Sequence, residues 1–559
     1  MVGSSRDNIS KMRFRGGSMI KKYAVSVALA LLYSVFYTVI GPMILSQNIS
    51  ADGSMIIPFI VCFIICFLFI RILLFLKDKL CIFDKRSRIT SWLDKIGNRR
   101  LFFVVWIFIF LSWVPVFLIT FPGIISYDMI SQLDSAANVI SSNHHPVLHT
   151  WLIRVFLRFG ESCFSSYETG LGFLSVLQMI LLSYALTRMI LIIRKHGVSD
   201  IIVIAVTLLS AFWFENACLS VSMIKDTLHA AFLILFACHF TEIVLSSDEY
   251  RGQKRNYVLL PLVGFLMFAT RNNGLHIYLF SFVFLLLLRI RKIKKSGRFI
   301  PLMLVGILPV ILFKVYTGPV FSALNIEQGQ VREALSVPIQ QMQRVAVYNM
   351  SELDEADREK INFYIDSLEW IDPYPGRLYT PFGADPAKSC FYSNNYNEDP
   401  AAFWKFWFKL GRRFTKQYTV AFLSNSIGFW YPDYYEFAYV MFNNYSPDAL
   451  VVPITRKSIW APEMMTAFYE NLCMNGKLRE IPVIRVFFVP AYISWALLCV
   501  IIYARKKKAY FTNVLPLFLP HIAQFGIMML CPISSFRYAW PLYLIFPITF
   551  IGLKNEKVQ

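Results

Sequence analysis

The sequence predicts an all-α protein that crosses a membrane many times, and three observations carry that reading. Of 559 residues, 56% are hydrophobic and only 16% are charged, against about 25% charged in an ordinary soluble domain. About twelve stretches approach the roughly 20 apolar residues that a spanning helix needs. The Lys and Arg clusters fall in alternate gaps between those stretches, as cytoplasmic loops require.

The stretches run at 23–46, 55–76, 101–121, 168–193, 200–216, 222–246, 257–270, 273–289, 299–322, 481–503, 511–531 and 536–553. The first follows a basic segment with Arg13, Arg15, Lys21 and Lys22. Its apolar run exceeds the h-region of a cleaved signal, so it reads as an uncleaved anchor. Basic clusters follow at Lys85 to Arg100, Arg194-Lys195, Arg251 to Arg255, Arg289 to Arg298 and Arg505 to Lys508. With both termini inside the cell membrane, every one of these loops is cytoplasmic. The net charge of +20 then reflects topology rather than a nucleic-acid partner.

The same assignment turns outward the loop 122–167, short turns near 217–221 and 271–273, the long segment 323–480 and the turn 532–535. Three regions result: an N-terminal membrane domain (1–322) carrying the outer loop, a mixed extracytoplasmic domain (323–480) and C-terminal membrane helices (481–559). Ten Cys without a C-x-x-C spacing argue against a disulfide scaffold or zinc module. Cys390 and Cys473 both fall outside, and their pairing is left open.

The unusual residues lie in the outward segments. From Tyr127 to Ile140 the apolar positions follow a 3.6-residue period, predicting an amphipathic helix at the interface. Asp128 and Gln132, four apart, share a face of it. Pro146 opens the next helix and places His144 and His145 before its N-terminus. Alone, Asp128 reads equally well as a carboxylate favouring a helix dipole. A metal site is an alternative, with Asp128, His144 and His145 as ligands, or with His145 and His149 as an i, i+4 pair. A divalent cation thus stays an option, with no cofactor established.

Polar groups also open four outer helix ends: Lys225-Asp226, Arg271-Asn272 and Arg537-Tyr538, besides Asp128 itself. A single ionisable residue at membrane depth costs roughly 2.5–3.5 kcal/mol on insertion scales, and snorkelling or pairing would explain any one of them. Four helices bringing such groups to one level predict a shared site. In the outer segment, 336–347 carries Gln340, Gln341, Gln343 and Arg344 in an otherwise apolar helix. Residues 351–370 predict a charged, solvated helix, and the aromatic and basic run from Ala401 predicts a helix in the outer headgroup region.

One carboxylate among several cations at a membrane edge suits a direct, inverting sugar transfer. Asp128 takes the proton of the attacking acceptor hydroxyl. Lys225, Arg271, Arg537 and Arg344 meet the charge growing on a departing lipid phosphate. No carboxylate pair is needed, because that leaving group requires no strong acid.

The motifs PGIISYDMISQ, NHHPVLHT, the Lys-Asp pair, TRNNG and FRYAWP together resemble the bacterial multi-spanning C-type glycosyltransferases (GT-C superfamily). The likeness is closest to members with P-G-x-x-x-x-D-x-x-x-Q followed by H-H-P. It implies a GT-C-like fold, Asp128 as catalytic base, a polyprenyl-phosphate-linked sugar donor and a glycan or glycolipid acceptor among membrane lipids. Gln132, His144, His145, Lys225, Asp226, Arg271, Asn272, Gln340, Arg344, Arg537 and Tyr538 are the expected substrate-binding residues. The family often has an acidic pair in this loop. Here only Asp134 could be the second acid, six residues on and on another face, which leaves metal dependence open. An O-antigen-type polymerase or ligase, and a lipid or solute transporter, are the rival readings. Transporters tend to show inverted repeats and broken helices, and neither is evident in the sequence.

Overall fold

The computed structural model describes residues 23–554, apart from 49, 51, 81–94, 127, 296–298, 366–378, 437–450, 456–457, 461–480, 506 and 508–509. Its helices, in chain order, begin with α1 (Tyr23–Leu45), α2 (Gly53–Leu76) and α3 (Asn98–Ile119). The loop 122–167 contributes α4 (Met129–Ala137) and α5 (Val147–Phe164). Then come α6 (Tyr167–Lys195), α7 (Asp200–Phe212), α8 (Phe214–Ser220), α9 (Lys225–Leu245), α10 (Asn256–Thr270), α11 (Asn273–Ile290) and α12 (Leu304–Ala323). The segment 323–480 holds α13 (Ser336–Asn349), α14 (Glu355–Tyr364), α15 (Pro400–Arg413) and α16 (Thr415–Asn425). The chain closes with α17 (Pro490–Ala504), α18 (Tyr510–Met529) and α19 (Phe536–Leu553).

Among the described residues, nine helices are long and apolar enough to cross a membrane. They are α1, α2, α3, α6, α9, α11, α12, α18 and α19. The pair α7 and α8, bent by 53° at Trp213, makes a tenth if counted as one span. Helix α2 states the physical case most plainly: its mean hydropathy is 3.1, yet none of its apolar window is buried against protein. Such a face is stable only in lipid, where an α-helix also satisfies all its own backbone groups. The protein is therefore an all-helical, multi-pass membrane protein. Helices α10 and α17 coincide with the expected seventh and tenth spans, but each holds only 15 residues.

Helix α9 is the most enclosed span. It packs on α6, α10 and α19, while α3 and α5 also lean on α6. Trp113, Phe236, Phe240 and Trp540 are fully buried in this central core. The outer segment has a core of its own, in which Ile339, Met342, Val345, Ile361, Phe403 and Leu410 pack together.

Three expectations about individual helices change. The apolar face of α4 is not laid on lipid, because Met129, Leu133 and Ala136 bury against Ile153 and Leu157 of α5 and Leu171 and Leu174 of α6. Helix α14 is only partly solvated: Asp357 is buried and paired with Lys409 (2.7 Å) and Arg413 (3.0 Å) of α15. Helix α15 likewise turns Phe403, Phe406 and Leu410 into the outer core rather than toward headgroups. Amphipathic periodicity says which face is apolar, and protein can cover that face as well as lipid can. Cys473 lies outside the described residues, and Cys390 makes no disulfide among them.

Candidate functional site

Two short segments set the site, and each runs straight into a helix. Residues 122–126 lead to α4, and 221–224 lead to α9. They pair as a single parallel bridge between Ile124 and Ser222, with Ile124 N–H donating to Val221 O (3.0 Å) and Met223 N–H to Ile124 O (3.2 Å). The hydroxyls of Ser126 and Ser222 meet at 2.8 Å, and Ser175 donates to Pro122 O at 2.8 Å. Gly123 allows this close approach. Its φ is +143°, and a Cβ there would lie 2.4 Å from Ser175 Oγ and 2.6 Å from Val221 O, so only glycine fits.

Because the bridge holds the two segments in register, Asp128, four positions past Ile124, and Lys225, three past Ser222, are brought together. Lys225 Nζ donates to Asp128 Oδ2 at 2.9 Å and reaches His145 Nδ1 at 3.4 Å. From α19, Arg537 Nη1 reaches the same Asp128 oxygen at 3.4 Å. Arg271, at the turn before α11, pairs with the buried Asp226. Tyr538 lies between the two arginines: the guanidinium carbons of Arg271 and Arg537 stand 4.9 and 4.8 Å from its ring centroid. Its hydroxyl accepts from Arg537 Nη2 at 2.8 Å. An aromatic face attracts a cation, so this ring helps two like charges sit close together.

Three cations, Lys225, Arg271 and Arg537, thus face two carboxylates, Asp128 and Asp226. Each group lies at or beside the N-terminus of α4, α9, α11 or α19. Helix N-termini already favour anions, and a lysine or arginine there works against the dipole. Combining helix N-termini with an excess of cations concentrates positive potential and makes an anion site, suited above all to phosphate.

The electrostatics follow from burial and these partners. Burial alone would raise the Asp128 pKa, but the Lys225 and Arg537 cations outweigh it and hold the carboxyl well below the usual carboxylate range. Burial first, then the Lys225 ammonium, pushes His145 down to about 3. An ammonium can only donate, so Nδ1 of His145 accepts from Lys225 and Nε2 carries the proton toward Ser131 Oγ, 2.9 Å away. Burial and Lys225 push His149 down to about 3 as well. Among the described residues, both His149 ring nitrogens and Asp226 Oδ2 are buried with no hydrogen-bond partner, which fits a region built to receive a further polar group.

The structure brings Asp128, His145, Lys225, Asp226, Arg271, Arg537 and Tyr538 together. The other expected residues border this cluster or lie apart from it. Gln132 is buried and donates to Thr150 Oγ1 at 3.1 Å, pinning α4 to α5. His144 is exposed, its ring edge-on to His145 at 4.6 Å. Asn272 is exposed beside Arg271. In the outer segment, Gln340 donates to Thr380 O at 2.6 Å. Arg344 is buried, bonding Gln47 (2.5 Å), Tyr379 (2.9 Å) and Gln417 (2.9 Å). Those bonds tie α13 to α16 and to the residues after α1, a holding role. The ligand set Asp128, His144 and His145 does not suit a divalent ion, because the Lys225 ammonium stands between the carboxylate and the imidazole. Among the described residues no group of three or more His, Cys, Asp or Glu side chains could hold a metal.

Sequence reasoning passed over Ser131, Thr150 and Arg154. Arg154 donates to the carbonyls of Ser135, Ala136 and Asn138 at 2.7–3.0 Å, capping the C-terminus of α4. Only Ser131, three residues after Asp128, had a positional signal, since i and i+3 share a helix face.

Residues 136–559 match the family of unknown function DUF6020. The chain belongs to that family. The DUF6020 region holds His145, Lys225, Asp226, Arg271, Arg537 and Tyr538, while Asp128 lies eight positions before its first residue. No curated protein and no solved structure matches this DUF6020 chain.

Proposed function

We propose that this protein is a membrane glycosyltransferase of the GT-C kind, moving a sugar from a polyprenyl-phosphate-linked donor to a cell-envelope glycan or glycolipid on the outer face. The observation that supports it best is one carboxylate, Asp128, held by Lys225 and Arg537 where helix N-termini converge. The donor phosphate binds between Lys225, Arg537 and Arg271. By taking over the two cations that restrain Asp128, it frees the carboxylate as a base. The acceptor oxygen then attacks the anomeric carbon from the face opposite the phosphate, and the bond from that carbon to the phosphate oxygen breaks. Polyprenyl phosphate leaves on the cations, and the acceptor proton passes to Asp128. Configuration inverts in this single displacement.

We also take α10 and α17 as short spans, which a bilayer accommodates by local thinning, and α7 with α8 as one broken span. About twelve crossings result, with both termini inside and the Asp128 site outside.

Asp128→Asn should insert in the membrane normally and lose sugar transfer from polyprenyl-phosphate donors by roughly 10²–10⁴-fold, the usual worth of a positioned base. Undiminished transfer by that variant would remove the mechanism. Use of only diphosphate-linked glycans would instead favour a polymerase or ligase. One observation supports transport as a second reading: the break at Trp213 carries the buried Glu215, whose Oε2 has no hydrogen-bond partner among the described residues. Transporters build ion sites at broken helices. Liposomes holding the purified protein would then move a solute without forming any glycan product.

A further inference from the structure

The far end of α6 and α9 encloses a cavity of about 790 Å³. Seventeen residues separate Lys225 from Glu242 on α9, which at 1.5 Å per residue is about 26 Å, close to the hydrocarbon thickness of a bilayer. The cavity therefore lies at the opposite membrane face from Asp128. Its acids are already engaged: Asp200 with Arg194 (3.2 Å), and Glu242 and Glu249 with Lys195 (3.0 Å each).

Among the described residues, two lining arginines are not engaged with any acid. Arg188 is half-buried, two turns of α6 before Lys195, and among the described residues it makes no hydrogen bond or ion pair. An arginine at that depth is costly unless it serves a partner. The Arg255 side chain is exposed and bonds only the neutral Gln253 (2.9 and 3.2 Å). The same cavity is walled by Tyr184, Leu191, Leu259 and Val263, and Tyr184 and Leu259 also reach the outer surface of the bundle. Spare guanidiniums beside apolar walls at headgroup level fit an amphiphile with an anionic head. Basic pockets between spanning helices serve that purpose.

We propose that this cavity is a lipid site, holding the phosphate of an anionic membrane lipid between Arg188 and Arg255 with its chains along Tyr184 and Leu259. The site is independent of the Asp128 chemistry.

The test is native mass spectrometry of the full-length protein loaded with phosphatidylglycerol, with phosphatidylcholine as the neutral control. Wild type should retain phosphatidylglycerol preferentially. Arg188→Gln and Arg255→Gln should each weaken retention about tenfold, the worth of one lost charge-assisted bond. Arg255 is exposed and packs little, so its variant reports binding even if the Arg188 variant folds poorly. Excess inorganic phosphate should not displace the lipid. Retention unchanged in Arg255→Gln, or displacement by inorganic phosphate, would overturn the lipid assignment, the latter in favour of a soluble anion.

Discussion

At the scale of single residues, the site is governed by which groups stay charged. Asp128 is ionised at any ordinary pH because Lys225 and Arg537 hold its carboxyl low, and the same grip makes it a poor base until the cations find another anion. Under the proposed transfer, the free protein should therefore show an acid limb of kcat/KM below the usual carboxylate range. Once donor phosphate engages Lys225 and Arg537, the Asp128 pKa rises and the acid limb of kcat moves to higher pH, since kcat reports the bound complex. Coincident limbs in the two profiles would count against the handover of cations. Stability has a separate pH window. His145 and His149 are depressed to about 3 in the fold, against about 6.5 when unfolded. Their contribution is complete above that value and is lost as pH falls from about 6.5 toward 3. The Asp128 contribution is lost only below about 3.9. Thermal unfolding between pH 7 and 5 should thus fall less steeply in His145→Gln than in wild type.

At the scale of elements, the paired segments before α4 and α9 carry the geometry. Gly123→Ala would put a Cβ into Ser175 and Val221 at a backbone angle that suits glycine. It should destabilise the protein by about 1–3 kcal/mol and, by parting Asp128 from Lys225, cost transfer activity more than its melting temperature alone predicts. Normal activity with an unchanged melting temperature would show that the bridge does not set the site. Much here was legible in sequence: apolar runs located the spans, and Asp128, Lys225, Arg271 and Arg537 stood out because charges are costly at helix ends inside a membrane. The bridge was not legible, since a single pair of residues has no periodicity. Nor was the bend at Trp213, which has neither Pro nor Gly beside it. Gln132 and Arg344 were read as ligand-facing because buried polar groups look alike in sequence, whether they meet a substrate or another helix. Their partners, Thr150, Gln47 and Gln417, lie 18, 297 and 73 residues away.

At the scale of the whole molecule, the segment 323–480 grips the turn that presents Arg537. Ala384 N–H donates to Pro532 O (2.7 Å), Asn425 Nδ2 donates to Cys531 O (2.8 Å), and Gly428 packs against Ser534. Asn425 is buried, so Asn425→Ala leaves the Cys531 carbonyl unpaired, at a cost of about 1–3 kcal/mol. Loosening that turn should raise the donor KM with little effect on kcat, because Asn425 touches neither Asp128 nor the reacting atoms. The opposite split, with kcat falling and KM constant, would place Asn425 in the chemistry instead. The same architecture demands that the two charged ends of α9 face opposite sides of the membrane. In a Cys163→Ser background, which removes an exposed thiol, a cysteine at Asn138 on the outer loop should react with an impermeant thiol reagent on intact cells. One at Lys254, exposed beside the basic cavity, should react only after the cells are opened. Labelling of both from the same side would break the alternation of basic loops. It would also break the separation of the Asp128 site from the arginine-lined cavity, because a single α-helix of this length cannot return to the face it left.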